Sequence, residues 1–268
     1  MSRIAVCTDS SALLPAELAE RLGINVLAIA VTLDDAPFEE RTESIDDFYR
    51  RLTEGAKVTT SQPSPGDFVH AYAGAAAGGA REALSIHLDA RVSGTTRSAE
   101  LAAAAAPIPV TVVDSGTVSF GVGVCVRVAA NAVAAGASAR DAAAVVIRRG
   151  SRMSNVFVAR GGPGGRVPST PEWAVLTFGD GSTQPIAACE SLEEAVEALL
   201  AQIVAHGGPI RTAVGHAARA TEPAADALAA ALAGSKDVVE VERYRVGPSV
   251  GAHTGPFSFG AFWWPAAL

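Results

Sequence analysis

Between residue 4 and residue 135 one arrangement recurs: a short apolar run, then a cluster of Ser, Thr or Asp, then a helix. Ile4 to Cys7 leads into Thr8-Asp9-Ser10-Ser11 and a helix from about Pro15 to Leu22, which Gly23 stops. Ile24 to Leu33 reads as a second strand. This β-α-β opening favours a parallel sheet with polar loops at the carboxyl ends of its strands. Ala83 to Leu88 runs into Arg91-Val92-Ser93-Gly94-Thr95-Thr96 and an Ala-rich helix ending before Pro107. Val110 to Val113 runs into Asp114-Ser115-Gly116-Thr117 and a helix from about Ser119 to Ala135. Hydroxyls and unpaired backbone N–H groups converging at helix starts suit an anion without needing a fixed countercharge.

The densest such stretch is Val58 to Phe68, Val-Thr-Thr-Ser-Gln-Pro-Ser-Pro-Gly-Asp-Phe. It reads as an uncharged polar loop entering a helix, with Ser64 as N-cap, Pro65 at the first helical position and Asp67 completing a capping box. Taken alone, the same residues are more simply read as ordinary turn and capping residues. Ser44-x-x-Asp47, Ser138-x-x-Asp141 and Ser191-x-x-Glu194 open three further helices.

After about residue 150 the character changes, which places a boundary there: one α/β domain over 1–150 and a second over 151–268. Asn155 to Ala159 reads as a strand, and Arg160 to Arg166 as a Gly-rich basic loop. Ala174 to Phe178 and Gln184 to Ala188 flank Gly179-Asp180-Gly181-Ser182 as a β-hairpin. An amphipathic helix, two strands around a helix near Pro223 to Leu232, and an aromatic strand Phe257 to Trp264 complete the domain. Val246 to Pro256 reads as a Gly/Pro-rich loop carrying His253, whose ring and flanking backbone are both placed to approach a ligand.

Composition excludes several function classes. The net charge is −7, and Lys57 and Lys236 are the only lysines, so the chain offers no basic face for nucleic acid. No Gly-x-x-x-x-Gly-Lys phosphate loop can be written. The three cysteines lack metal-ligand spacing and read as small hydrophobes of a reduced compartment. No stretch approaches the roughly 20 apolar residues of a transmembrane helix. The N-terminus turns polar before a signal-peptide core can form, which leads us to expect a cytoplasmic protein.

Gly247-x-Ser249-x-Gly251 matches the nucleophile elbow of serine hydrolases, but no Asp or Glu follows Glu242 and Pro248 sits where the strained turn belongs. A convergent triad of Ser93, His253 and Asp9 or Asp114 stays open, since triads are geometric.

These pieces together resemble the DegV family. The matching residues are Thr8-Asp9-Ser10-Ser11 with Leu14-Pro15, Thr59-Thr60-Ser61-Gln62-Pro63-Ser64-Pro65, and Ser85-Ile86-His87 followed by Ser93-Gly94-Thr95. Asp114-Ser115, the Gly161 to Val167 element, and Gly247-Pro248-x-x-Gly251-x-His253-Thr254-Gly255-Pro256 follow in the family's order. The resemblance implies a two-domain α/β protein of the EDD type: an N-terminal parallel-sheet domain, a C-terminal α/β domain with a mixed sheet, and a ligand between the domains. That ligand is a long-chain fatty acid lying in an apolar tunnel, with no other cofactor and no metal. The resemblance further implies a non-catalytic subunit of a fatty acid kinase in phospholipid metabolism, whose separate ATP-binding partner phosphorylates the carboxylate. The carboxylate contacts it implies are Thr60, Ser61, Ser93, Gly94, Thr95, His253 and Thr254, with Ser10, Ser11 and Arg166 in secondary roles. The segment from Arg166 to Pro171 is shorter than in relatives, and Phe257 replaces a small residue, both bearing on pocket length. A serine hydrolase and a binder of a shorter anion are the alternatives.

Overall fold

The computed structural model describes residues 4–40, 43–160 and 173–267. Its elements begin with β1 (Ile4–Asp9), α1 (Ala16–Leu22), β2 (Ile24–Leu27), β3 (Ala30–Leu33), β4 (Ala36–Phe38), α2 (Ile45–Thr53) and β5 (Val58–Ser61). Then come α3 (Pro65–Ala77), β6 (Glu82–His87), α4 (Thr95–Ala103), β7 (Val110–Asp114), α5 (Phe120–Ala134), α6 (Ala139–Gly150) and β8 (Ser154–Ala159). The chain ends with β9 (Trp173–Gly179), β10 (Ser182–Cys189), α7 (Leu192–Val204), β11 (Ile210–His216), α8 (Glu222–Ala233), β12 (Val238–Arg245), α9 (Pro248–Thr254) and β13 (Phe259–Pro265). The capping signatures read from sequence are present: Ser44, Ser64, Ser138 and Ser191 each accept a hydrogen bond from the backbone three residues on.

The chain forms two compact units. The first takes the residues through Ala30 together with Ser61–Ser151, and the second takes Val31–Thr60 with the residues from Arg152 onward. The single boundary expected near residue 150 is therefore joined by two crossings, one at either end of Val31–Thr60. The physical reason lies in that segment's apolar residues. Phe38, Phe48, Tyr49 and Leu52 pack into one buried cluster with Ala217, Val246 and Ala252 of the second unit.

The first unit is built on a parallel sheet in the order β2-β1-β6-β7. Its strands are covered on both faces, as parallel sheets require. Val6 joins α5 and α6 in one core, while its neighbour Cys7 joins Phe68 and Tyr72 of α3 and Ala99 and Ala102 of α4 in another.

The second unit carries a mixed sheet in the order β10-β9-β8-β13-β11-β12, in which only the β11–β12 pair is parallel. Leu199 and Ile203 of α7 and Leu228 and Leu232 of α8 pack against it. A further three-stranded sheet, β4-β3-β5, lies in the Val31–Thr60 region. Ile24 to Leu33, read as one strand, is two: β2 pairs in the parallel sheet, and β3 turns through Asp34 and Asp35, both at positive φ, to pair with β4. Val58 to Ser61, read as loop, is the strand β5.

Candidate functional site

In the first unit, parallel pairing brings the carboxyl ends of β1, β6 and β7 to one edge, as the recurring sequence pattern anticipates. Following β1, Ser10 to Ala12 makes one short 3-10 turn. Ser10 Oγ accepts from the Ile29 N–H at 3.0 Å, and Ser11 donates both its N–H and its hydroxyl to the Asp9 carboxylate. Both secondary residues are thus held by local hydrogen bonds.

Following β6, Ser93, Gly94 and Thr95 form the entry to α4. Ser93 Oγ and Thr95 Oγ1 lie 2.8 Å apart, and the Thr95 N–H donates to Ser93 Oγ. α4 has no side-chain cap and no acidic residue in its first turn. The start of α4 therefore carries the partial positive charge of a helix N-terminus, with the Thr95 N–H already given to Ser93. Gly94 lies close under the Gln62 amide: a Cβ there would lie 2.5 Å from Gln62 Nε2. The Gln62 amide thus rests on the Gly94 backbone, which ties the chain just after Ser61 to the α4 entry. Ser61 itself is exposed at the end of β5.

In the second unit, Thr60 Oγ1 and His253 Nε2 are 3.0 Å apart. His253 lies near the end of α9, a short helix rather than the loop read from sequence. Pro248 starts that helix at its first turn and Gly255, at φ 80°, ends it. The helix is seated through Gly251, where an added Cβ would lie 2.3 Å from Tyr49 Oη, and the Tyr49 hydroxyl donates to the Val246 carbonyl at 2.9 Å. Beside His253, Thr254 Oγ1 accepts from the Ser258 hydroxyl at 2.9 Å. His253 keeps an exposed side chain, yet the protein around it removes enough water to hold its imidazole below the ordinary value of 6.5. A neutral imidazole beside a threonine hydroxyl can donate one hydrogen bond and accept another.

Ser249 does not form an elbow. It is 3% exposed at the start of α9, and both its N–H and its hydroxyl donate to Glu40 Oε1, at 3.3 and 3.1 Å. Of the carboxylates weighed for a convergent triad, Asp9 is taken up by His87 and Ser11, and Asp114 accepts from the backbone of Ala90 and Gly116. Arg166 and the Gly161 to Val167 element lie outside the described residues.

Sequence reasoning missed the polar centre of the first unit. His87 Nδ1 is 2.8 Å from Asp9 Oδ2, His87 Nε2 is 2.7 Å from Ser85 Oγ, and Tyr72 Oη donates to Ser85 Oγ at 2.9 Å. Ser85-Ile86-His87 has strand periodicity that puts Ser85 and His87 on one face, a visible signal. Their partner Asp9 is 78 residues away and is brought alongside by the β1–β6 register.

Among the described residues no cluster of three or more His, Cys, Asp or Glu side chains could hold a metal, and no helix is long and apolar enough to cross a membrane. The three cysteines are free and buried, and burial pushes the Cys7 and Cys125 thiols up to about 12. A cleft of about 320 Å³ in the second unit, lined by Met153, Asn155, Thr177, Gln202 and Trp263 among others, contains none of the candidate residues.

A parallel-sheet unit with hydroxyl-bearing turns at its carboxyl edge, paired in one chain with a mixed-sheet unit carrying a threonine–histidine contact, defines a two-unit α/β protein. The chain belongs to the DegV family. The family model described as "Uncharacterised protein, DegV family" matches residues 3–160, more than half of the chain. A DegV domain-containing protein of Streptomyces coelicolor is 35% identical over 274 residues, covering 96% of each chain. Another, from Halalkalibacterium halodurans, is 30% identical over 285 residues, covering 98% of this chain and 99% of its own. Among solved structures, a DegV family protein from Thermus thermophilus, described by its fatty acid binding, superposes with a TM-score of 0.86 at 29% identity. That match covers 99% of this chain and 100% of the other. DegV of Bacillus subtilis, described as a fatty acid binding protein, gives 0.83 at 25% identity, covering 98% and 99%.

Proposed function

We propose that this protein binds a long-chain fatty acid in an apolar tunnel and presents its carboxylate to a separate ATP-dependent kinase, which converts it to an acyl phosphate. The observation carrying this reading is the near-complete match in length and fold to DegV proteins described as binding fatty acids. The residues proposed to take the carboxylate are Thr60, His253 and Thr254 in the second unit, and Ser61, Ser93, Gly94 and Thr95 in the first. Ser10 and Ser11 support them, and Arg166 is proposed as a secondary contact.

The donors suit the task. Hydroxyls, helix-start N–H groups and one neutral imidazole can grip a carboxylate through charge-assisted hydrogen bonds. None of these described donors brings a fixed positive charge that would hold the carboxylate too firmly to be handed on. Affinity then comes mainly from the chain, since each buried methylene is worth about 0.8 kcal/mol. The protein itself acts as carrier: the carboxylate oxygen attacks the γ-phosphorus of ATP on the partner, and ADP leaves.

The test is titration with long-chain fatty acids, followed by incubation of the loaded protein with a purified fatty acid kinase ATP-binding subunit and ATP. Hydroxylamine traps any acyl phosphate as a hydroxamate. Binding without hydroxamate would keep the carrier role and remove the kinase from it.

A further inference from the structure

The buried chain Tyr72–Ser85–His87–Asp9 has no place in the carboxylate site, for all four residues are fully buried or nearly so, each at 0% exposure. Its members are nevertheless linked end to end: His87 Nδ1 lies 2.8 Å from Asp9 Oδ2, His87 Nε2 lies 2.7 Å from Ser85 Oγ, and Tyr72 Oη donates to Ser85 Oγ.

Three segments meet on His87. Its carboxylate partner Asp9 also accepts from the N–H and hydroxyl of Ser11, fixing the 3-10 turn after β1. Phe68 of α3 meets the imidazole edge to face at 5.0 Å, and Tyr72, one turn further along, reaches Ser85. These two contacts dock the helix that follows Ser61 and Gln62. His87 ends β6, and its carbonyl accepts from the Ser115 N–H at 3.0 Å, which sets where the chain departs toward Ser93 and Gly94. Gln62, just ahead of the docked α3, closes the circuit by lying on Gly94.

We infer that His87 is the positioning residue of the first unit's head-group donors: without touching the ligand, it holds Ser61, Ser93, Gly94 and Thr95 in the arrangement that recognises a carboxylate. The inference rests on the fatty acid reading. It adds that selectivity for a charged head group over a neutral one is set from beneath, by a buried imidazole.

The experiment measures, for one chain length, the ratio of dissociation constants for a fatty alcohol and the matching fatty acid, together with thermal unfolding. Misplaced donors lose the head group and leave the tail, so His87→Phe, which keeps the ring and deletes both hydrogen bonds, should lower the ratio about tenfold, the size of one charge-assisted hydrogen bond. A variant with reduced thermal stability and an unchanged ratio would overturn the inference and leave His87 a purely structural residue. If His87→Phe does not fold, Tyr72→Phe decides. It removes a single hydroxyl from the same chain and should lower the ratio about threefold, and an unchanged ratio there likewise overturns the inference. A wild-type protein that binds no fatty acid, or binds acid and alcohol alike, would instead sink the fatty acid reading on which this one stands.

Discussion

The Thr60 hydroxyl and the His253 imidazole meet at 3.0 Å although 193 residues separate them. The contact exists because Val31–Thr60 folds with the second unit, so β5 delivers Thr60 to the helix that carries His253. It brings Thr60 and the terminal Gly-Pro-x-x-Gly-x-His segment together within the second unit.

On the proposed function, His253 should make fatty acid binding pH-dependent. Desolvation depresses its pKa in the free protein, and a carboxylate placed beside it would raise that pKa. Binding therefore takes up a proton, and affinity should rise as pH falls from 8 toward 6. Dissociation constants across that range check the slope, and His253→Ala should flatten it and weaken binding about tenfold at neutral pH.

A second depressed histidine, His216, affects stability. His216 is held below its ordinary value of 6.5 by burial first, and by Arg245 and Arg243 next to it. A group whose folded pKa lies below its unfolded one binds more protons when unfolded, so stability is intact above the unfolded value and falls as pH drops below it. Urea unfolding between pH 7.5 and 5 should lose stability toward acid, and His216→Gln should reduce that loss.

Asp46 behaves in the same sense at lower pH. Arg219 and Arg245 hold its carboxyl down at about 2, against an ordinary 3.8. Its contribution is present above pH 3.8 and disappears as pH falls from there to about 2. Because Asp46 is 38% exposed, solvent screening keeps that contribution under about 1 kcal/mol. Asp46→Asn should lower stability at pH 7 by that amount and remove the dependence in this window.

Two glycine substitutions separate site from scaffold. At Gly94 an added methyl meets only the far end of Gln62, so Gly94→Ala should cost little stability while displacing the amide and weakening fatty acid binding. At Gly123 it would lie 2.3 Å from the Ala12 carbonyl oxygen, so Gly123→Ala should cost about 1–3 kcal/mol through forced backbone movement. Calorimetry and binding measured together would show the two effects dissociate.

Local signals carried much of this structure into the sequence. Ser64-Pro65-x-Asp67 marks the start of α3 because a capping box is satisfied within four residues. The hairpin turn at Asp180-Gly181 is likewise local, both residues standing at positive φ. What escaped was non-local or short. β3, β4 and β5 have four, three and four residues, and they pair across a segment whose membership in the second unit is decided by burial of Phe48 and Tyr49, not by any linker. Thr59 and Thr60 are β-branched and fit a strand as readily as a polar loop. Pro248 and Gly255 bracket a helix, but with Gly251 between them the same residues read as loop. Asp9 and His87 find one another only through the pairing of Cys7 with Ser85, a register no local pattern states.

The most direct test of the account is native mass spectrometry of the protein as purified, with denatured extracts run beside it to identify whatever is released. The account predicts a bound long-chain fatty acid in one-to-one ratio, or uptake of one on titration, and a reduced bound fraction in Thr60→Ala and His253→Ala. A protein that carries no fatty acid and takes up none on titration would contradict it.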